Sequence, residues 1–206
     1  MDVLLHWLHA HFIELAGAVL GLISIYLQIL RKAAYWPVAI AMVIMYIYVF
    51  YTSRFYADMS FQVYYLIISV YGWWFWITHK NTSDNKHKGS DIQRLTPKGM
   101  TLALLVCIIL FISIGLILYN FTDSDVVMGD AFTTAVSFVA TWLLARKYLE
   151  NWLFWIAADV VSTALYAYTG LYPTVVLFSV LSVLAVIGYM KWKKELATKY
   201  DKVFER

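Results

Sequence analysis

Seven stretches of this chain are apolar almost without interruption, near Phe12–Leu30, Trp36–Thr52, Ala57–Thr78, Met100–Tyr119, Val127–Ala145, Trp152–Thr169 and Thr174–Met190. Polar residues gather between them. Stretches of about 17–25 residues can cross a hydrocarbon core as a helix. Inside lipid only helices and closed barrels satisfy every backbone group, and these runs are continuously apolar rather than alternating. The pattern therefore predicts an all-α integral membrane protein of seven transmembrane helices.

The chain also repeats itself. Shifted by 116 positions, Glu14–Trp76 aligns with Asp130–Trp192 without a gap, so that Trp36 meets Trp152, Ile40 meets Ile156, Tyr56 meets Tyr172, Gly72 meets Gly188 and Trp76 meets Trp192. Arg31 meets Lys147 in the same register. Each half reads as a three-helix bundle. Equivalent helices lie four crossings apart and run in the same direction, with the fourth span restoring orientation between copies. Parallel repeats imply a pseudo-two-fold axis along the membrane normal and a substrate site near the midplane. The expected organisation is a first repeat over 12–78, a linker, fourth span and outer loop over 79–126, a second repeat over 127–192 and a tail over 193–206. This 3+1+3 arrangement resembles the SWEET sugar carriers.

Composition strengthens the reading, since 62% of residues are hydrophobic and only 14% charged, outside the range of soluble domains. The net charge of +3 does not call for nucleic acid, because the basic residues sit between spans. With seven spans, fifteen of the sixteen Lys and Arg fall on one face and Arg54 alone on the other. The basic face is the cytoplasmic one by the positive-inside rule, which puts the N-terminus outside and the C-terminus inside. Merging or splitting one span would destroy that asymmetry. The single Cys107 permits no intramolecular disulfide, and residues 79–98 read as a flexible linker between the halves.

Little in the loops resembles catalytic machinery: no phosphate-cradling Gly-rich loop, CxxC pair, HExxH helix or GxSxG elbow is present. His6, His9 and His11 lie close in sequence but lack a partnering Cys or carboxylate set, so neither a metal nor a cofactor is expected. Asp159 stands apart as an acidic residue well inside a span, and such a residue is a functional candidate by default. Helical spacing puts Trp152, Trp155 or Ile156, Asp159, Ser162 or Thr163, and Tyr166 on one face. A carboxylate beside electron-rich rings suits a flat cation. The bland alternative is a carboxyl bonded to a Tyr or Thr within the bundle. Gln62, Tyr65, Ser69 and Trp73 form a second stripe on the third span, while Gln28, Thr141 and Trp142 rank lower.

The stretches WPVAIAMVIMYIYVFYTSRFYADMSFQVYYLIISVYGWWFW (Trp36–Trp76) and ATWLLARKYLENWLFWIAAD (Ala140–Asp159) resemble the PnuC family of vitamin-precursor transporters. The resemblance implies facilitated diffusion of a precursor, typically nicotinamide riboside, across the bacterial inner membrane, with trapping by a cytoplasmic kinase. It places Trp152, Trp155 and position 159 in the pocket, joined by Gln62. It also implies a point of difference: nicotinamide riboside carriers tend to have Asn where this chain has Asp159, and relatives take thiamine or riboflavin. An aspartate is compatible with the pyridinium or the thiazolium and gains nothing from neutral riboflavin. The expected substrate contacts are thus Asp159, Trp155, Trp152, Gln62, Tyr65 and Tyr166, and the expected partners are the precursor and the bilayer, with monomer and homo-oligomer both open. Two other classes, a sugar carrier and a membrane-embedded enzyme, are opposed by the buried acid and by the lack of clustered catalytic groups.

Overall fold

A computed structural model describes residues 12–52, 54, 56–78, 92–122 and 126–204. Within them lie seven helices: α1 Phe12–Ile29, α2 Tyr35–Thr52, α3 Tyr56–Thr78, α4 Pro97–Phe121, α5 Val127–Ala145, α6 Asn151–Tyr168 and α7 Tyr172–Phe204. The first six coincide with the first six apolar stretches, whereas α7 continues past Met190 to Phe204, into the expected tail. Four of them, α2, α4, α5 and residues 172–198 of α7, are long and apolar enough to cross a membrane by length and composition. The polar stripe of α3 and the Asn and Asp of α6 dilute those two helices, and α1 offers the shorter apolar run Val19–Ile29. The large hydrophobic side chains left exposed on α4, among them Leu102, Leu105, Ile109, Ile112 and Leu116, form a surface that acyl chains rather than water would cover.

Two compact units divide the chain, Met1–Val70 and Tyr71–Arg206. In the first, α1 packs on α2, and Ser24 Oγ donates to Met42 Sδ at 3.6 Å. In the second, α4 packs on α5, α5 on α6 and α6 on α7. Small residues make those approaches close: Ala131, Ala135, Ala140 and Ala145 of α5 are fully enclosed, and a side-chain carbon on Gly115 of α4 would lie 3.7 Å from the Ala131 methyl. Val136, Val139, Ala140 and Leu143 of α5 and Phe154 and Ala158 of α6 form the core, with Cys107 and Leu110 of α4 packed against it.

The internal repeat is visible in the turns. α1 ends with Arg31 in the left-handed region (φ 53°), its N–H bonded to Gln28 O at 3.0 Å and the Lys32 N–H to Leu27 O at 2.9 Å. α5 ends with Lys147 (φ 58°), its N–H bonded to Leu144 O and the Tyr148 N–H to Leu143 O, both at 2.9 Å. Every participant in the second turn lies 116 positions after its counterpart in the first. Both are Schellman endings, which satisfy carbonyls that a helix terminus would otherwise orphan. Arg54 (φ 62°) and Gly170 (φ 76°) are a second such pair after α2 and α6. A residue with a Cβ gives up roughly 1–2 kcal/mol in that conformation. Because Arg54 is exposed, Arg54→Gly is expected to raise the thermal midpoint of the purified protein slightly, the gain reduced by the greater freedom of glycine in the unfolded chain.

The linker departs from expectation. Residues 79–91, like His6, His9 and His11, lie outside the described residues, but Ile92–Thr96 is docked rather than flexible. Ile92 is buried, and Gln93 forms a parallel bridge with Tyr148, Gln93 N–H donating to Lys147 O at 3.0 Å and Leu149 N–H to Gln93 O at 2.9 Å. α4 then starts three residues before Met100, where Pro97 supplies the first helical position and Thr96 Oγ1 accepts from Gly99 N–H at 3.1 Å.

Candidate functional site

The second unit carries four of the six candidates on one helix. α6 starts straight after the α5–α6 turn, where Asn151 Nδ2 donates to Tyr148 O at 2.6 Å. Trp152, Asp159 and Ser162 are buried, Trp155 and Tyr166 are half-buried, and Leu153 and Val160 on the opposite side are exposed. The face expected from helical spacing is therefore the one turned inward.

Each candidate has its own surroundings. Trp152 is completely enclosed: its ring meets Trp192 of α7 edge-on at 5.5 Å and lies directly over Gly188. Trp155 packs against the α5–α6 core. Tyr166 stacks on Phe178 of α7 at 5.2 Å. Asp159 is the ninth of the eighteen residues of α6, half-way along the helix, and only 5% exposed. Its carbonyl accepts from Thr163 Oγ1 at 2.8 Å, while its carboxylate has neither hydrogen bond nor ion pair among the described residues. The bland alternative, a carboxyl bonded to a neighbouring Tyr or Thr hydroxyl, is thus not what the structure places here.

Other polar groups of α6 and α7 share that condition. The indole N–H groups of Trp152 and Trp155, Oδ1 of Asn151 and Oγ of Ser182 on α7 are enclosed and without a partner among the described residues. An unpaired polar group in a medium without water costs several kcal/mol. Asn151 and Ser182 were not among the sequence candidates, and one Asn and one Ser in apolar helices send no signal of their own.

The remaining candidates fall elsewhere. Gln62 and Tyr65 are half-buried on α3 in the first unit, Tyr65 edge-on to Tyr64 at 5.6 Å. Ser69 is buried, but Trp73, assigned to the same stripe, is exposed. Thr141 is satisfied within its own helix by Ser137 O at 2.7 Å, and Trp142 lies outward, stacked on Tyr71 at 5.5 Å. Gln28 is buried on α1. Among the described residues no three His, Cys, Asp or Glu side chains converge as a metal site would require.

A buried, unpaired carboxylate half-way along an apolar helix is a functional candidate, and comparison with known proteins places the chain among solute carriers. The family model described as nicotinamide mononucleotide transporter matches residues 11–194. The chain belongs to this family, that of the PnuC transporters. It is similar to the nicotinamide riboside transporter PnuC of Escherichia coli strain K12, 28% identical over an alignment that covers 88% of this chain and 84% of that one. The corresponding protein of Neisseria mucosa is 23% identical over 86% of this chain and 70% of that one. Among solved structures, the crystal structure of the vitamin B3 transporter PnuC superposes with a TM-score of 0.73 at 20% identity, covering 96% of this chain and 87% of that chain. That likeness establishes a shared fold. As a member of the PnuC family, the chain is a multi-pass membrane transporter of a vitamin precursor and not an enzyme.

Proposed function

We propose that this PnuC-family chain imports nicotinamide riboside by facilitated diffusion across the bacterial inner membrane, with its N-terminus outside and its C-terminus in the cytoplasm. The observation that carries the reading of a cationic ligand is Asp159, a buried carboxylate without a protein partner among the described residues, on the helix that also bears Trp155, and the relatives named for nicotinamide riboside favour that cation. Holding a carboxylate at the centre of a membrane helix costs about 2.5–3.5 kcal/mol on insertion scales. A pyridinium cation offsets that cost by direct Coulomb attraction, and an indole face adds a cation–π contribution. Asp159 is the counter-ion, Trp155 the stacking surface and Tyr166 a further contact along α6, while Trp152, enclosed by Trp192 and Gly188, backs the site rather than lining it. Gln62 and Tyr65 on α3 are carried into the reading by the family resemblance alone.

Two parallel three-helix repeats joined by α4 are the framework for this reading, supported by turns that recur at the 116-residue offset. A downhill carrier accumulates nothing by itself, so a cytoplasmic kinase that phosphorylates the substrate makes uptake directional. The Asp159 charge suits a thiazolium equally well, which makes thiamine the second reading. Calorimetric titration of the purified protein with nicotinamide riboside, thiamine and riboflavin separates the two. Nicotinamide riboside is expected to bind most tightly and riboflavin not at all; thiamine as the tightest ligand would reassign the substrate, and binding of none would remove the basis of the reading.

A further inference from the structure

Glu150 immediately precedes α6 and is only 6% exposed, yet nothing in the transport site accounts for it. Its Oε2 accepts the Leu95 N–H at 2.9 Å, and its Oε1 lies 3.6 Å from Nε of Arg94, a side chain 60% exposed. Together with the two backbone bonds between Gln93 and the α5–α6 turn, the carboxylate fastens segment 92–96 to the start of α6. Two residues after Leu95 the chain enters α4. The same turn also holds the end of α3: Trp76 Nε1 donates to Ala145 O at 3.1 Å, the Lys147 ammonium lies 5.2 Å from the centre of the Trp76 ring, and Arg146 covers Phe75 at 5.9 Å. At the equivalent turn of the first repeat, Ala34 stands where Glu150 does, so the carboxylate belongs to one repeat only.

We propose that Glu150 is a positioning residue for transport, and that through segment 92–96 it holds the foot of α4 to the foot of α6 in a clasp that stays closed while the carrier works. α4, α5, α6 and the last turn of α3 then move as one body. Asp159 lies nine residues along α6 from Glu150, about 13 Å at the rise of an α-helix. Glu150 therefore acts on the movement of the body and not by touching substrate. Arg94 contributes little, because an exposed partner is screened, and the buried N–H···carboxylate bond is the stronger element.

This inference rests on the transport reading for its uptake arms, and amide exchange tests it without any substrate. In wild-type protein the Gln93 and Leu149 amides are expected to exchange slowly, equally with and without nicotinamide riboside; fast exchange at both would overturn the clasp. In liposomes, Glu150→Ala is expected to lower the maximal uptake rate of nicotinamide riboside several-fold at unchanged KM, with Glu150→Gln, which still accepts from Leu95, close to wild type. A parallel loss of affinity, or no change of rate, would overturn the assignment. Bridge partners in adjacent strands are spaced about 4.8 Å apart, within disulfide reach. In a Cys107→Ser background, oxidised Gln93→Cys/Tyr148→Cys protein is expected to keep transporting, and arrest on oxidation, reversed by reduction, would show that the clasp must open. Should Glu150→Ala fail to fold, the disulfide pair and the amide exchange still decide. Should wild type take up no nicotinamide riboside, the substrate reading fails while the exchange data continue to bear on the clasp.

Discussion

Asp159→Asn is expected to weaken binding of a cationic ligand by one and a half to three orders of magnitude while making the ligand-free protein more stable. The two effects have one cause. A unit charge 4 Å from its partner is attracted by about 4 kcal/mol at an effective dielectric of 20, and partial solvation of the loaded site lowers that to roughly 2–4 kcal/mol. Asparagine keeps the shape and the hydrogen-bonding capacity but gives up this attraction. Without ligand, the carboxylate of Asp159 has no protein partner among the described residues to offset its burial, so replacing it with a neutral amide removes a standing cost. Thermal unfolding with and without nicotinamide riboside measures both at once: the variant unfolds at higher temperature when empty and gains less from ligand than wild type does. Equal affinity in the two proteins would rule out Asp159 as a counter-ion, and lower stability of the empty variant would reveal a partner that holds the carboxylate.

Gly188→Val carries the largest expected structural effect. A Cβ at Gly188 would fall 2.5–2.7 Å from three carbons of the Trp152 six-membered ring, closer than carbons pack. The ring cannot move aside cheaply, because it is fully enclosed and held edge-on by Trp192. α7 must then shift away from α6, and overpacking of this kind typically costs ~1–3 kcal/mol, with more expected for a branched side chain against a rigid indole. A large loss of folded protein on size-exclusion chromatography is the expected result. Trp152→Leu in the same chain removes the ring atoms that clash, so the double variant is expected to be more stable than the sum of the single losses. Strict additivity would place the damage somewhere other than this contact.

Much of this architecture was legible along the chain. The seven helices follow from apolar runs of membrane length, and the inward face of α6 from the spacing of Trp152, Trp155, Asp159, Ser162 and Tyr166. The repeat offset, read from matched Trp, Gly and Tyr positions, reappears in the matched left-handed residues Arg31 and Lys147. Other features were not legible. Lys147 counts as a topological charge in the sequence, but in the fold it is buried and lies over Trp76. Glu150 carries no local signature, since its partner at Leu95 is 55 positions away. Trp73 shares a helical stripe with Ser69 and is nevertheless exposed, because spacing along one helix does not say where the neighbouring helices end.

Solvent preference is a property of each segment alone, and for that reason the sequence by itself determined the membrane class, the seven apolar stretches and the duplication. Whether a polar group is satisfied depends on what other segments bring to it. Only the tertiary structure, therefore, left the Asp159 carboxylate without a protein partner among the described residues, sealed Trp152 between Gly188 and Trp192, and paired Glu150 with the backbone of segment 92–96.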